Sequence, residues 1–180
     1  MCGIFACIPY LDEWLDNSII LHQDRGPDQN KKISFCGYGI TVNRLMITGS
    51  LTDGSQPVFS SSGNFSCVFN GAIFNAKKLI MNYSLVPKSK NDASVVLELF
   101  EKIGKNCFDF IEGMFSIIIM DKLNSSIVIA RDTMGIKPLY WLSKNDVIIF
   151  SSSIKAVPEK FQPYVQAFPP GQVWVDGFFS

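Results

Sequence analysis

Histidine is nearly missing from this chain: among 180 residues there is one, His22. A nucleophile here therefore needs a base of another kind, unless it meets that single imidazole. An excess of one charge is missing too, because sixteen basic and sixteen acidic residues cancel and neither sign forms a long block. That leaves no electrostatic case for nucleic acid or an anionic membrane surface as partner. No apolar run approaches the length of a membrane span. The N-terminus lacks the basic region and continuous apolar stretch of a secretory signal. No Walker A pattern occurs, and Ser61-Ser62-Gly63-Asn64 does not qualify as a nucleotide loop. The five cysteines (Cys2, Cys7, Cys36, Cys67, Cys107) are odd in number and lack zinc-finger spacing. They read as reduced thiols of a cytoplasmic protein rather than a disulfide framework. No metal and no cofactor is expected.

What is present is apolar. Hydrophobic residues make up 47% of the chain and mean hydropathy is +0.19. Either the core is large or one face is covered by something else. Residues 1–180 read as one domain, long enough to bury a substantial core. Strand-like runs occur at 2–8, 32–36, 39–42 and 65–69, with a Gly/Ser-rich connection over 54–64. Leu11 to Gln23 has mixed apolar spacing compatible with a helix. The clearest helix spans Ala93 to Ile103, with Val96, Leu97, Phe100 and Ile103 on one stripe and Asn91 or Asp92 placed to cap it. Two very hydrophobic strands follow, Met114–Met120 and Ser126–Ala130, then a hairpin from 139 to 151. Strands apolar at nearly every position are covered on both faces. A layered sheet protein with helices outside is the expectation.

Cys2 outweighs everything else. Loss of the initiator methionine would leave one residue bearing both a thiol and a free α-amino group. That amine has an ordinary pKa of ~8 and can act as a base near neutrality. The thiol, at ~8.5, gains from a base in reach. Alone, Cys2 would read as an ordinary strand cysteine. Its companions change that. Arg25-Gly26-Pro27-Asp28, Asn43-Arg44-Leu45, Gln56-Pro57, Asn70-Gly71-Ala72-Ile73-Phe74-Asn75, Asp92, Glu112-Gly113-Met114-Phe115, the run Arg131 to Tyr140, and Phe168-Pro169-Pro170-Gly171 follow in order. In this order they resemble the glutaminase domain of class II glutamine amidotransferases, most of all the N-terminal domain of glutamine-hydrolysing asparagine synthetase. The resemblance implies an N-terminal-nucleophile hydrolase, an α+β fold of four layers, α/β/β/α.

It also implies roles. Cys2 would attack the side-chain amide of L-glutamine, form a γ-glutamyl thioester and release ammonia. The Asn70 side-chain amide and the Gly71 backbone N–H would hold the oxyanion. Arg44 would clamp the substrate carboxylate with its planar fork, Asp92 would meet the substrate ammonium, and Ile47, Thr48 and Ala72 would line the pocket. Each has a plainer reading beside it. Arg44 could be a surface ion-pair partner, Asp92 a helix cap, and Asn70-Gly71 a type I′ hairpin turn. His22 reads as a structural or surface histidine. The run from Arg131 to Tyr140 reads as a core turn with no catalytic role.

Three departures stand out. Ala72 replaces the family's usual glutamate, Asp24 its histidine before Arg-Gly-Pro-Asp, and Ser152-Ser153 its Ser-Glu. Together they predict a slow or partner-dependent glutaminase. With no nucleotide loop in the sequence, ammonia would go to a separate ATP-dependent synthetase chain; the aromatic tail Trp174, Phe178 and Phe179 either mediates homo- or hetero-oligomerisation or packs onto this domain's own core. The alternatives are a weak or inactive amidotransferase-like domain that regulates a synthetase partner, and an N-terminal-nucleophile hydrolase of another amide.

Overall fold

Alternation along the strands sets the architecture. The computed structural model describes residues 1–46, 54–89 and 91–180. The chain starts with β1 (Gly3–Ile8), α1 (Asp12–Leu21), β2 (Gln29–Phe35) and β3 (Tyr38–Arg44). It continues through β4 (Val58–Phe59), β5 (Phe65–Ile73), α2 (Ala76–Tyr83) and α3 (Asp92–Ile103). After a 3-10 segment, Gly104–Phe110, come β6 (Gly113–Asp121), β7 (Ser126–Arg131), β8 (Tyr140–Lys144) and β9 (Val147–Ser151). Short 3-10 turns then lead to β10 (Gln166–Ala167), β11 (Val173–Val175) and β12 (Phe178–Phe179). Among the described residues these form two six-stranded antiparallel sheets, ordered β10-β8-β9-β1-β3-β2 and β12-β11-β7-β6-β5-β4.

Three apolar layers hold the sheets and helices together. Ile4, Ala6, Ile40 and Val42 of the first sheet meet Val68, Ile118, Met120 and Ile129 of the second. The opposite faces of the same strands serve the outer layers. Phe5 and Cys7 pack with Trp14 and Leu15 of α1. Phe69, Ile117 and Ile119 pack with Val96, Leu97 and Phe100 of α3. Period-two side-chain direction sends successive residues to opposite faces, so strands apolar at every position feed two layers at once. The result is the four-layer α/β/β/α sandwich.

Local chemistry explains several boundaries. Asn91, not Asp92, caps α3, accepting the Ala93 N–H at 2.9 Å. Cys36 and Gly37 both have positive φ (49° and 82°) and make the tight turn between β2 and β3. The aromatic tail belongs largely to the core: Trp174 is buried between the sheets, and Phe179 stacks edge-on with Trp141 at 4.9 Å. Only Phe178 of the three points outward, 79% exposed. No helix among the described residues is long and apolar enough to cross a membrane.

Candidate active site

The start of β1 and the end of β3 lie side by side, because Gly3 pairs with Asn43. Cys2 is consequently next to the Arg44–Leu45 backbone, and its Sγ lies 3.9 Å from the Leu45 carbonyl. Alternation carries Cys2 to the side of Ile4 and Ala6, and Arg44 to the side of Val42, so both face the second sheet. Cys2 is partly buried. Cys7, Cys67 and Cys107 are fully buried, and burial pushes their thiols up, Cys7 to about 11. Cys36 is exposed at the β2–β3 turn. Cys2 is thus the one cysteine that combines access with an organised surrounding.

Arg44 is almost fully buried. Its guanidinium runs across Gly54, where a side chain would overlap it. Two residues on, Gln56 acts as a surrogate strand: its Nε2 donates to the Phe69 carbonyl at 2.8 Å and its Oε1 accepts the Phe69 N–H at 2.6 Å. The 54–57 segment therefore carries Arg44 toward β5. Asn70 follows Phe69 on the inner face, 2% exposed, and its Nδ2 has no partner among the described residues.

Asn70-Gly71 is not a hairpin turn. β5 runs straight through both residues, pairing Asn70 with Ser116 and Gly71 with Phe115. A Cβ on Gly71 would sit 2.7 Å from the Phe115 Cα, so glycine lets β6 approach this closely. Asp92 opens α3 and reaches back to β5, its Oδ2 accepting the Ile73 N–H at 2.9 Å. Cys2 and Arg44 thus lie at adjoining strand ends of the first sheet, while Asn70 to Ile73 lie on β5 of the second, with Asp92 at the start of α3 bonded to Ile73. Ile47 and Thr48 lie outside the described residues.

Other side chains, outside the candidate site residues, grip the same region. Arg25 Nε donates to the Cys2 carbonyl at 3.3 Å, and Asp28 Oδ2 accepts the Met46 N–H at 2.7 Å. Ser152 exchanges two bonds with Ile4, through its hydroxyl at 3.1 Å and its N–H at 2.9 Å. The signal for Arg25, Asp28 and Gln56 lay in the Arg-Gly-Pro-Asp and Gln56-Pro57 motifs; for Ser152 it lay only in the departure Ser152-Ser153. Asp24 pairs with Lys155 at 2.6 Å on the surface, which holds its carboxyl below the ordinary range. A separate cleft of about 500 Å³, lined by Lys105, Phe108, Phe115, Arg131 and Val173, does not include Cys2 or Arg44.

The family model described as the glutamine amidotransferase domain matches residues 1–168. The chain belongs to this family. It is 30% identical over 183 residues to an asparagine synthetase [glutamine-hydrolyzing] of Arabidopsis thaliana, covering 97% of this chain and 31% of the relative. It is 33% identical over 188 residues to a probable asparagine synthetase [glutamine-hydrolyzing] of Dictyostelium discoideum, covering 95% of this chain and 32% of that one. The amidotransferase chain thus spans about a third of the length of these curated relatives. Among solved structures, glutamine phosphoribosylpyrophosphate amidotransferase from B. subtilis superposes with a TM-score of 0.78 at 18% identity. That match covers 99% of this chain and 48% of the other. At this identity the likeness establishes the fold, the four-layer sandwich.

Proposed function

We propose that this amidotransferase chain hydrolyses the side-chain amide of L-glutamine and delivers the ammonia to an ATP-dependent synthetase. After removal of Met1, the α-amine of Cys2 takes the thiol proton, and the sulfur attacks the amide carbon. The tetrahedral intermediate collapses as the proton passes to the leaving nitrogen, the C–N bond breaks and ammonia departs. Water then attacks the γ-glutamyl thioester, the C–S bond breaks, and glutamate and the free thiol result. The Asn70 amide and the Gly71 N–H stabilise the oxyanion, each such donor lowering the barrier by about 3–4 kcal/mol. Arg44 binds the α-carboxylate and Asp92 the α-ammonium; Ile47, Thr48 and Ala72 line the pocket.

The observation that carries this reading is the position of Cys2: a partly accessible cysteine at the edge of β1, on the strand that pairs with β3, which ends at the buried Arg44. The sole histidine is buried and its imidazole is pushed down to about 4 by desolvation, which supports the terminal amine as the base. Intact mass and a glutaminase assay test it. The mature chain should lack Met1, and Cys2→Ala should abolish ammonia release while melting like the parent. Retained methionine in a fully active preparation, or activity in Cys2→Ala, overturns the mechanism.

Ala72 favours a second reading. With no acid after Asn70-Gly71, the substrate ammonium has Asp92 alone, whose carboxylate is already bonded to Ile73. A weak glutaminase that regulates its synthetase partner would show low turnover alone and a rise on adding that partner.

A further inference from the structure

The ring of His22 is fully buried, and neither Nδ1 nor Nε2 has a hydrogen-bond partner among the described residues. Buried polar side-chain atoms nearly always find one. An imidazole that forgoes both can contribute shape and neutrality, but no hydrogen bond. Its ring lies on the outer face of the first sheet, against Gly3. A Cβ at position 3 would come within 2.8 Å of His22 Cβ and Cγ and 2.9 Å of Cδ2. The backbone of His22 acts on the same region. Its carbonyl accepts the Arg25 N–H at 3.0 Å and the Gly26 N–H at 3.1 Å, and Arg25 Nε in turn holds the Cys2 carbonyl at 3.3 Å. The Cys2–Gly3 unit is held from two sides by one ring and by the turn that the same residue starts.

We propose that His22 is a positioning residue for the Cys2 nucleophile: an uncharged ring wedged behind Gly3 that fixes the Cys2–Gly3 backbone for attack. The inference rests on the reading of Cys2 as nucleophile. Charging the ring would disturb that wedge, and the surroundings resist charging. Burial is the main cause of the low imidazole value of about 4, and the Arg25 and Lys155 cations add to it. Asp24 is the acidic group that opposes them, but it is exposed and already bonded to Lys155. The Ser18 carbonyl favours the charged ring weakly, without a hydrogen bond of normal geometry to it. Gly3 of β1, which lies against the ring, carries no titratable side chain.

The test compares His22→Ala and His22→Met in the full chain, with Cys2→Ala as control. His22→Ala should lower kcat by on the order of tenfold to a hundredfold, the size of effect expected when a reacting group is misplaced by about an ångström. KM for glutamine should change far less. Met fills space without charge, so His22→Met should keep kcat within about threefold of the parent at neutral pH. The ratio of parent to His22→Met kcat cancels the titration of thiol and amine common to both. That ratio should fall as the pH is lowered reversibly to about 4. Parental kcat in a folded His22→Ala variant overturns the proposal, and so does a pH-independent ratio. If His22→Ala does not fold, the ratio decides alone. A merely structural ring would lower melting temperature and leave kcat and the ratio unmoved. Activity in Cys2→Ala would overturn the nucleophile reading instead.

Discussion

The Arg25–Asp28 turn and the Arg131–Lys137 turn each set an arginine and an aspartate against backbone, and they differ in how fully those groups are used. Arg131 donates from Nε, Nη1 and Nη2 to the carbonyls of Lys137, Phe168 and Gly135 at 2.9, 2.6 and 2.8 Å. Asp132 accepts the N–H groups of Phe115, Met134, Ile136 and Lys137. In the other turn, Arg25 holds Cys2 through Nε while its buried Nη2 has no partner among the described residues. Asn70 Nδ2 and Ser116 Oγ, paired across β5 and β6, are left over in the same way. The Arg131 turn is saturated, whereas Arg25, Asn70 and Ser116 near the proposed site keep leftover groups. A buried donor without a partner is costly, so it persists where something other than stability retains it.

Breaking the saturated side should produce the largest effect. Asp132→Ala strands four buried or half-buried backbone donors and should cost about 4–5 kcal/mol of stability, since bonds to charged groups contribute about 1.5–3 kcal/mol each and their losses overlap. Urea unfolding would read it; a change below about 1 kcal/mol would show that the loop is held by packing instead. The leftover side should respond in the opposite manner. Asn70→Ala should lower kcat by about a hundredfold to a thousandfold with little loss of stability. If both parameters stayed at the parental value, Asn70 would be only a strand residue.

The smallest effect concerns acid. His22 has a folded-state value of about 4, below its ordinary 6.5, so the unfolded chain binds more protons between those limits. Stability from this group is fully present above pH 6.5, declines as the pH falls through that window, and levels off below about pH 4. The whole window corresponds to on the order of 3 kcal/mol. His22→Met should therefore lose less stability on acidification than the parent; parallel stability–pH curves would contradict it.

Most strands were legible because their two faces are both buried, and continuous apolar runs such as Met114–Met120 have few other uses. The candidate site residues were picked out through family motifs and not through local physics, which favoured a hairpin at Asn70-Gly71. Cross-strand pairing with Ser116 and Phe115 overrode that turn preference. The short α2 escaped notice because it buries only Leu79 and so leaves a faint apolar stripe. The tail was open in sequence between an interface and a core. Trp174 pairs with Ile129 and fills the space between the sheets, so removing the chain beyond Gly171 would take away core as well as surface.

By itself, the order of residues determined the strand faces, a cap at Asn91 or Asp92, the absence of a charge excess and the family of the chain. These depend on near neighbours in sequence, on period and on composition. The tertiary structure decided what touches what. It set Cys2 beside Leu45, Gln56 on Phe69, Asp92 on Ile73 and the ring of His22 behind Gly3. Such contacts join residues far apart in the chain. Sheet register and layer packing create them, and neither is encoded in any local window.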